Sequence, residues 1–267
     1  KIKSLNISNF YICSLSSEVI VYKGMFLAEQ LSSFYPDLLD PDFKSKFAVY
    51  HQRYSTNTFP TWSLAQPFRV LAHNGEINTL KGNLNWMKAH ETRITDDFFG
   101  DRVEDLKPIL DSDASDSASL DAAFEILLQT DRSLPMTKSM IIPESWSNNN
   151  DMPDELKKMY AYCNAVIEPW DGPAAVCANF GDWIISGMDR NGLRPLRYII
   201  TGDDLLISGS EVGMVIVDDR NILKKGKMTN QMYYDGFKMM ADHKIRSTCN
   251  VMIGFPGEFE GDVFETI

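Results

Sequence analysis

The fold is best indicated by the stretch His73-Asn-Gly-Glu-Ile-Asn-Thr79, which directly follows the apolar run at residues 68–72. The apolar run predicts a short strand, and residues 78–90 predict a helix because their apolar side chains recur at helical spacing. Asn74-Gly75 therefore lies at a strand end, where a rigid scaffold commonly presents site residues. The Asn74 amide and the Gly75 backbone N–H are neighbouring donors of the kind that forms an oxyanion hole.

A second polar group follows another short apolar run. Residues 47–51 predict a strand, and Arg53 comes just after it, at the start of Arg-Tyr-Ser-Thr-Asn-Thr. A guanidinium binds a carboxylate through two parallel hydrogen bonds. Arg53 and Asn74 together therefore predict a pocket for an amino acid whose side-chain carbonyl is attacked. The attacking group itself is expected to be missing from the start of this sequence.

Composition limits the classes of protein and of partner. The 267 residues are 44% hydrophobic and 24% charged, with a net charge of −11. This balance is typical of a soluble globular protein and argues against nucleic acid or an anionic membrane as primary partner. No apolar run approaches the roughly 20 residues that span a bilayer. The four cysteines have neither metal-ligand nor disulfide-framework spacing, so we expect no metal site and a reducing, cytoplasmic compartment.

The remaining pattern predicts strands first, then helices, and then a run of short strands. Residues 120–128 and 155–166 predict helices, and residues 138–143 predict a strand. Residues 10–15 and 19–23 predict a hairpin. Further strands are predicted at residues 174–179, 183–188, 196–201, 205–208 and 214–217. Turns such as Gly181-Asp182 separate these strands, which favours antiparallel pairing and an α+β class.

Six motifs in order carry a resemblance to a known family. They are Arg53-Tyr-Ser-Thr-Asn-Thr, Trp62-Ser-Leu-Ala-Gln-Pro67, His73-Asn-Gly-Glu-Ile-Asn-Thr79, Gly82-Asn-Leu-Asn-Trp86, Glu168-Pro-Trp-Asp-Gly-Pro173 and Asp189-Arg-Asn-Gly-Leu-Arg-Pro195. Together they resemble the glutamine amidotransferase domain of glutamate synthases, over roughly residues 6–226. Six motifs in the same order are specific, whereas any one of them alone is weak.

The resemblance implies an N-terminal-nucleophile hydrolase fold of the αββα sandwich type with mainly antiparallel sheets, incomplete in this sequence. It implies that an amino-terminal cysteine attacks L-glutamine and that the released ammonia is used to form glutamate from 2-oxoglutarate. A thiolate beside its own α-amino group has a local base. The FMN and iron–sulfur cluster of such enzymes lie in other domains, so no cofactor is expected here. The remaining synthase domains are the expected partners.

By position, the resemblance assigns roles to five residues. The Asn74 side chain and the Gly75 N–H would be the oxyanion donors. Arg53 would bind the α-carboxylate of glutamine, with Thr56 nearby. Asp116 would bind the α-ammonium by charge pairing.

Each role has a structural alternative. Asn-Gly pairs commonly form turns, and an exposed arginine commonly forms a weak surface ion pair. Asp111 and Asp113 compete with Asp116 for the ammonium. The predicted acidic, serine-rich loop at residues 111–119 contains all three, and it also suits a cap for the helix at residues 120–128. Asp189-Arg-Asn-Gly192 is expected to be a hairpin turn, with Arg190 and Asn191 as supporting candidates for the site.

Both ends of the sequence depart from the family pattern. No amino-terminal Cys-Gly is present, and Cys13, inside a strand pattern, is not expected to replace it. Residues 1–226 are therefore interpreted as a partial amidotransferase domain. Residues 227–267 are a divergent segment with a predicted helix at 228–242. A strand predicted at residues 245–258 ends in Gly254-Phe-Pro-Gly-Glu258 and is similar to a barrel strand of radical S-adenosylmethionine enzymes, although the three-cysteine cluster motif is absent.

Three competing hypotheses remain open at this point. The first is a non-catalytic remnant that binds an amino acid. The second is another class II amidotransferase, acting on a sugar-phosphate or phosphoribosyl substrate. The third is a fragment of a radical S-adenosylmethionine enzyme. For the parent enzyme the expected location is the cytoplasm, or a plastid in an alga or plant.

Overall fold

The strands in the described part of the chain form two three-stranded antiparallel sheets. The computed structural model describes residues 10–55, 58–94 and 100–227. Within these residues the strands are β1 Leu71–Gly75, β2 Ala174–Phe180, β3 Trp183–Met188, β4 Arg197–Thr201, β5 Leu206–Gly209 and β6 Ile222–Lys227. The first sheet has the order β1-β2-β3 and the second the order β5-β4-β6. This arrangement agrees with the predicted α+β class and its antiparallel pairing.

The first sheet joins parts of the chain that are far apart in sequence. β1 pairs with β2 so that Asn74 lies opposite Ala175 and Gly75 lies opposite Ala174. β2 and β3 form a hairpin whose turn contains Gly181 at a φ of 56°, a conformation that suits glycine. The end of β1 is therefore held by the start of β2.

The α-helices of the described residues are α1 Leu31–Phe34, α2 Leu80–Glu91, α3 Asp116–Leu128, α4 Leu134–Ile141 and α5 Asp154–Val166. Serine caps fix where two of them begin. The Ser115 hydroxyl accepts a hydrogen bond from the Ala118 backbone at the start of α3, and the Ser133 hydroxyl accepts one from Met136 at the start of α4. α3 thus begins at Asp116, four residues before the helix predicted from residue 120.

One apolar core lies between the first sheet and the helices. Its most deeply buried members come from β1, β2, β3, α3 and α4 and from the segment after α5: Leu71, Leu120, Phe124, Leu134, Met140, Ile141, Trp170, Val176 and Ile185. Truncating one such side chain to alanine typically costs about 2–5 kcal/mol. The core therefore holds β1, and with it the segment that follows, against α3.

The prediction of a strand at residues 138–143 was wrong, because α4 covers residues 134–141. Ser133 caps this helix and Pro135 lies in its first turn, where a missing N–H has no cost. The helix is buried around most of its surface, including Lys138 and Ile141. An apolar run buried on all sides cannot be distinguished from a buried strand by its periodicity.

Four other predicted strands are not regular strands in the structure, namely residues 10–15, 19–23, 47–51 and 214–217. In contrast, β6 was not predicted, because three lysines and a glycine within residues 224–227 disfavour a strand. Its pairing with β4 outweighs that weak local preference. The predicted helix at 228–242, the remaining segment to residue 267 and Thr56 lie outside the described residues.

Candidate active site at the end of the first sheet

Gly75 lies where the backbone of β1 passes unusually close to the segment before β2. Its φ is +148°, and a Cβ atom at this position would lie 1.8 Å from the Pro173 carbonyl oxygen. The next residue continues the contact, since the Glu76 N–H donates to the same oxygen at 3.0 Å. Only glycine fits here. The backbone after Asn74 is therefore fixed by its close approach to Pro173.

The Asn74 amide is held by the loop that follows β5. Its Nδ2 donates to the Ser210 hydroxyl at 2.8 Å and to Glu211 Oε1 at 3.2 Å. The same Oε1 accepts from Nη2 of Arg194, also at 3.2 Å. The proposed oxyanion donor is thus in contact with two side chains, Ser210 and Glu211, and Arg194 contacts the second of them. The sequence analysis selected none of the three.

The segment that contains Arg53 is fixed by backbone pairing with residues 64–66. Ser55 N–H donates to the Leu64 carbonyl at 2.9 Å, and Gln66 N–H donates to the Arg53 carbonyl at 3.1 Å. The Arg53 side chain is exposed. The predicted guanidinium therefore stands on an ordered backbone while its head group is accessible to a ligand.

Gln66 joins this segment to β1. Its buried side-chain amide donates to the His73 carbonyl at 3.0 Å and accepts from the His73 N–H at 2.7 Å. This pair of bonds resembles one pair of strand-ladder hydrogen bonds, on the edge of β1 that faces away from β2. The Arg53 segment is thereby tied to the residue immediately before Asn74.

Asp116 lies in the first turn of α3 rather than in the loop where it was predicted. Its Oδ2 accepts from the Ile77 N–H at 2.9 Å, and its Oδ1 accepts from the Ser117 N–H at 2.7 Å. A carboxylate is favoured at a helix N-terminus. The adjacent Ser115 hydroxyl donates to Ser55 at 2.8 Å. Asp116 therefore lies beside the segment after β1 and close to the segment after Arg53.

These contacts bring three predicted site segments together: residues 53–55, residues 74–77 and the start of α3. The rival acidic residues Asp111 and Asp113 are exposed and precede the helix. Thr56 lies outside the described residues. Of the side chains around the site, Ser210 and Glu211 were missed because they contact Asn74 from 136 and 137 positions away. Gln66 was missed although it lies only seven positions from His73.

His73 is a buried histidine behind the site. It is 2% exposed, and neither ring nitrogen has a hydrogen-bond partner in the described part of the chain. Burial lowers the pKa of His73 to about 4, and the nearby Asp116 carboxylate opposes this effect only in part. Burial also lowers the pKa of His51. Both imidazoles are therefore favoured in their neutral forms.

The predicted turn at residues 189–192 is organised by the buried carboxylate of Asp189. It accepts hydrogen bonds from four backbone N–H groups, those of Ala174, Asn191, Leu193 and Arg194. Arg190, a supporting candidate from the sequence, instead binds Asp171 and the Pro143 carbonyl. The arginine that reaches the site is Arg194, through Glu211.

The described residues contain no group of three or more His, Cys, Asp or Glu side chains arranged to hold a metal ion. In the same part of the chain, no helix combines the length and the apolar character that crossing a bilayer requires.

Comparison with known proteins identifies the family. The family described as "Glutamine amidotransferases class-II" matches residues 1–245. The chain therefore belongs to the class-II glutamine amidotransferases, which confirms the resemblance and the N-terminal-nucleophile hydrolase fold class.

Relatives that are similar to this chain are named glutamate synthases. The glutamate synthase [NADPH] large chain of Azospirillum brasilense is 59% identical over 227 residues, covering 85% of this chain and 15% of that protein. The corresponding large chain of Bacillus subtilis (strain 168) is 49% identical, covering 82% and 14%. The ferredoxin-dependent glutamate synthase of Pyropia yezoensis is also 49% identical, with the same coverage. The chain thus spans about a seventh of the length of these relatives.

Proposed function

We propose that this chain is the glutamine amidotransferase domain of a glutamate synthase large chain. In this proposal, glutamine is hydrolysed at the site described above, and the ammonia is used elsewhere in the longer protein to form glutamate from 2-oxoglutarate. The main support is the family match over residues 1–245 together with relatives that are all named glutamate synthases. The contacts that tie the Arg53 segment, Asn74 and Asp116 together are consistent with one substrate site.

In the proposed chemistry, each charged site residue binds the group of opposite charge on glutamine. The Arg53 guanidinium binds the α-carboxylate of glutamine, and the Asp116 carboxylate binds its α-ammonium. Thr56 lies near Arg53 in sequence. When the side-chain carbonyl is attacked, negative charge develops on its oxygen, and the Asn74 Nδ2 and the Gly75 N–H stabilise it. In this proposal the nucleophile is an amino-terminal cysteine of the longer protein.

The proposal also covers the surroundings of the domain. Residues 1–226 form the amidotransferase part and residues 227–267 a divergent segment. FMN and an iron–sulfur cluster belong to other domains of the parent enzyme, and these domains are the partners of this one. The proposed location is the cytoplasm, or a plastid in an algal or plant source.

The test is ammonia release from glutamine by the full-length protein. Asn74→Ala should lower kcat by about 10²–10³ with little change in KM, because one oxyanion donor is lost. Arg53→Lys should mainly raise KM, because the two-pronged carboxylate contact is lost. Asn150→Ala, in an exposed loop, is the control and should behave as wild type.

Two results would contradict the proposal. The first is a wild-type protein that releases no ammonia. If it nevertheless binds glutamine, the non-catalytic amino-acid-binding alternative replaces the proposal. The second is Asn74→Ala with an unchanged kcat, which would remove Asn74 from the chemistry.

A further inference from the structure

The contacts of Asn74 raise the question of what decides which end of its amide faces the loop after β5. An asparagine amide has a donor end and an acceptor end of nearly equal shape. The Ser210 hydroxyl, 2.8 Å from Nδ2, can accept from one end or donate to the other. This contact alone does not distinguish the two orientations.

Glu211 does distinguish them, because an ionised carboxylate only accepts hydrogen bonds. Its Oε1 lies 3.2 Å from Asn74 Nδ2. A reversed amide would place Oδ1 against this carboxylate oxygen, and two acceptors would repel each other. Of the two loop side chains that contact the Asn74 amide, Glu211 is therefore the one that selects the NH₂ end.

Arg194 keeps Glu211 in place and offsets its charge. Its Nη2 donates to the same Oε1 at 3.2 Å. The Arg194 backbone is itself anchored, since its N–H donates to the buried Asp189 carboxylate at 2.8 Å. That carboxylate also holds the N–H of Ala174, the residue opposite Gly75. A continuous set of contacts thus runs from the base of β2 through Arg194 to the Asn74 amide.

We propose that Glu211, held by Arg194, is a positioning residue that keeps the donor end of the Asn74 amide toward the loop after β5. One Nδ2 hydrogen stays on Glu211, and the other, which the Ser210 hydroxyl accepts in this structure, passes to the oxyanion when it forms. This inference rests on the proposed function for its catalytic consequence. The oxyanion needs a donor that is already oriented before the reaction. The guanidinium of Arg194 has a second effect, because it offsets a carboxylate charge that would otherwise disfavour a nearby oxyanion.

Glu211 and Arg194 are exposed enough for a positioning role to be distinguished from a role in stability. The Glu211 side chain is 61% exposed and that of Arg194 is 34% exposed. Exposed ion pairs contribute little to stability. Substitution of Glu211 should therefore leave the melting temperature unchanged while it changes the reaction.

The kinetic experiment uses the full-length protein and glutamine. Glu211→Ala should lower kcat by about 5–50-fold, less than the roughly 10²–10³-fold expected for loss of the donor itself, with KM within about twofold. Arg194→Met should lower kcat in the same way, and the double variant should be no worse than the poorer single one, because the two residues act as a unit. Asp218→Asn, which removes a carboxylate from an exposed ion pair on the same connection, is the control and should match wild type.

The second measurement does not need activity. Neutron diffraction from crystals of this chain distinguishes nitrogen from oxygen and locates the amide deuterium atoms. Wild type should show one orientation of Asn74 with Nδ2 toward Ser210 and Glu211, whereas Glu211→Ala should show both orientations or the reversed one.

The outcomes separate this inference from the proposed function. An inactive wild-type protein would contradict the proposed function, and the diffraction result would still decide the role of Glu211. A single unchanged orientation in Glu211→Ala would overturn the inference. So would a lower KM with an unchanged kcat, because Glu211 would then compete with the substrate instead of positioning its donor.

Discussion

Acidification should destabilise this protein through His73. Its imidazole is 2% exposed, and its two nitrogens have no partner among the described residues. Protonation would place a positive charge in a buried site where the nearby Asp116 carboxylate compensates only in part, and burial accordingly lowers the pKa of His73 from 6.5 to about 4. In the unfolded chain the same group titrates at its ordinary pKa.

The sign and size of this change in the free energy of unfolding follow from the linkage between proton binding and folding. Between the two pKa values the unfolded state binds more protons than the folded state, so the free energy of unfolding falls as the pH falls. The contribution of His73 is present above about pH 6.5 and is lost progressively toward about pH 4. Between about pH 7 and pH 4.5 the loss amounts to roughly 2.5 kcal/mol.

The assay is urea unfolding of wild type and His73→Phe at both pH values. The apolar ring cannot titrate, so the variant should lose about 2.5 kcal/mol less than wild type on acidification. Asp121, whose pKa burial raises to about 6, acts in the opposite direction in both proteins, and for this reason the difference between them is the informative quantity. Asn150→Ala, in an exposed loop, is the control and should retain the wild-type loss. Parallel pH profiles for wild type and His73→Phe would refute the reasoning.

Three further substitutions test how β1 is held. Gly75→Ala would place a Cβ atom 1.8 Å from the Pro173 oxygen and should destabilise the fold by more than about 3 kcal/mol, visible as a lower melting temperature; a wild-type value would contradict the close approach. Asp121→Ala removes the acceptor of two buried N–H groups at the start of β1 and should cost about 2–4 kcal/mol in chemical denaturation. Gln66→Ala leaves the N–H and C=O of His73 without partners and should cost about 2–5 kcal/mol by the same measurement, whereas a loss below about 1 kcal/mol would show that water replaces the amide.

The sequence predicted best those parts of the fold that depend on local signals. The β2–β3 hairpin follows from a Gly-Asp turn between two short apolar runs, and the structure has both strands there. α5 begins within one residue of its predicted start. α4 was mistaken for a strand, although Ser133 and Pro135 were available as start signals, because the apolar run that follows suits either structure.

The residues around the candidate site also differ in whether a local sequence signal points to them. Asn74-Gly75 was identified because both residues lie in a specific motif at a strand end. Glu211 was not, because its contact with Asn74 spans 137 positions and depends on how the loop after β5 approaches the first sheet. Asp116 was predicted in a loop but lies in the first turn of α3, since a serine-rich acidic stretch is typical of both a loop and a helix N-terminus.

The most direct test of the central claim is a crystal structure of the full-length protein with glutamate, the product of glutamine hydrolysis, bound. The account predicts the α-carboxylate at Arg53, the α-ammonium at Asp116 and a side-chain oxygen within hydrogen-bond distance of Asn74 Nδ2 and the Gly75 N–H. Glutamate bound elsewhere, or bound without contact to Asn74 and Gly75, would contradict the assignment of this strand end as the amidotransferase site.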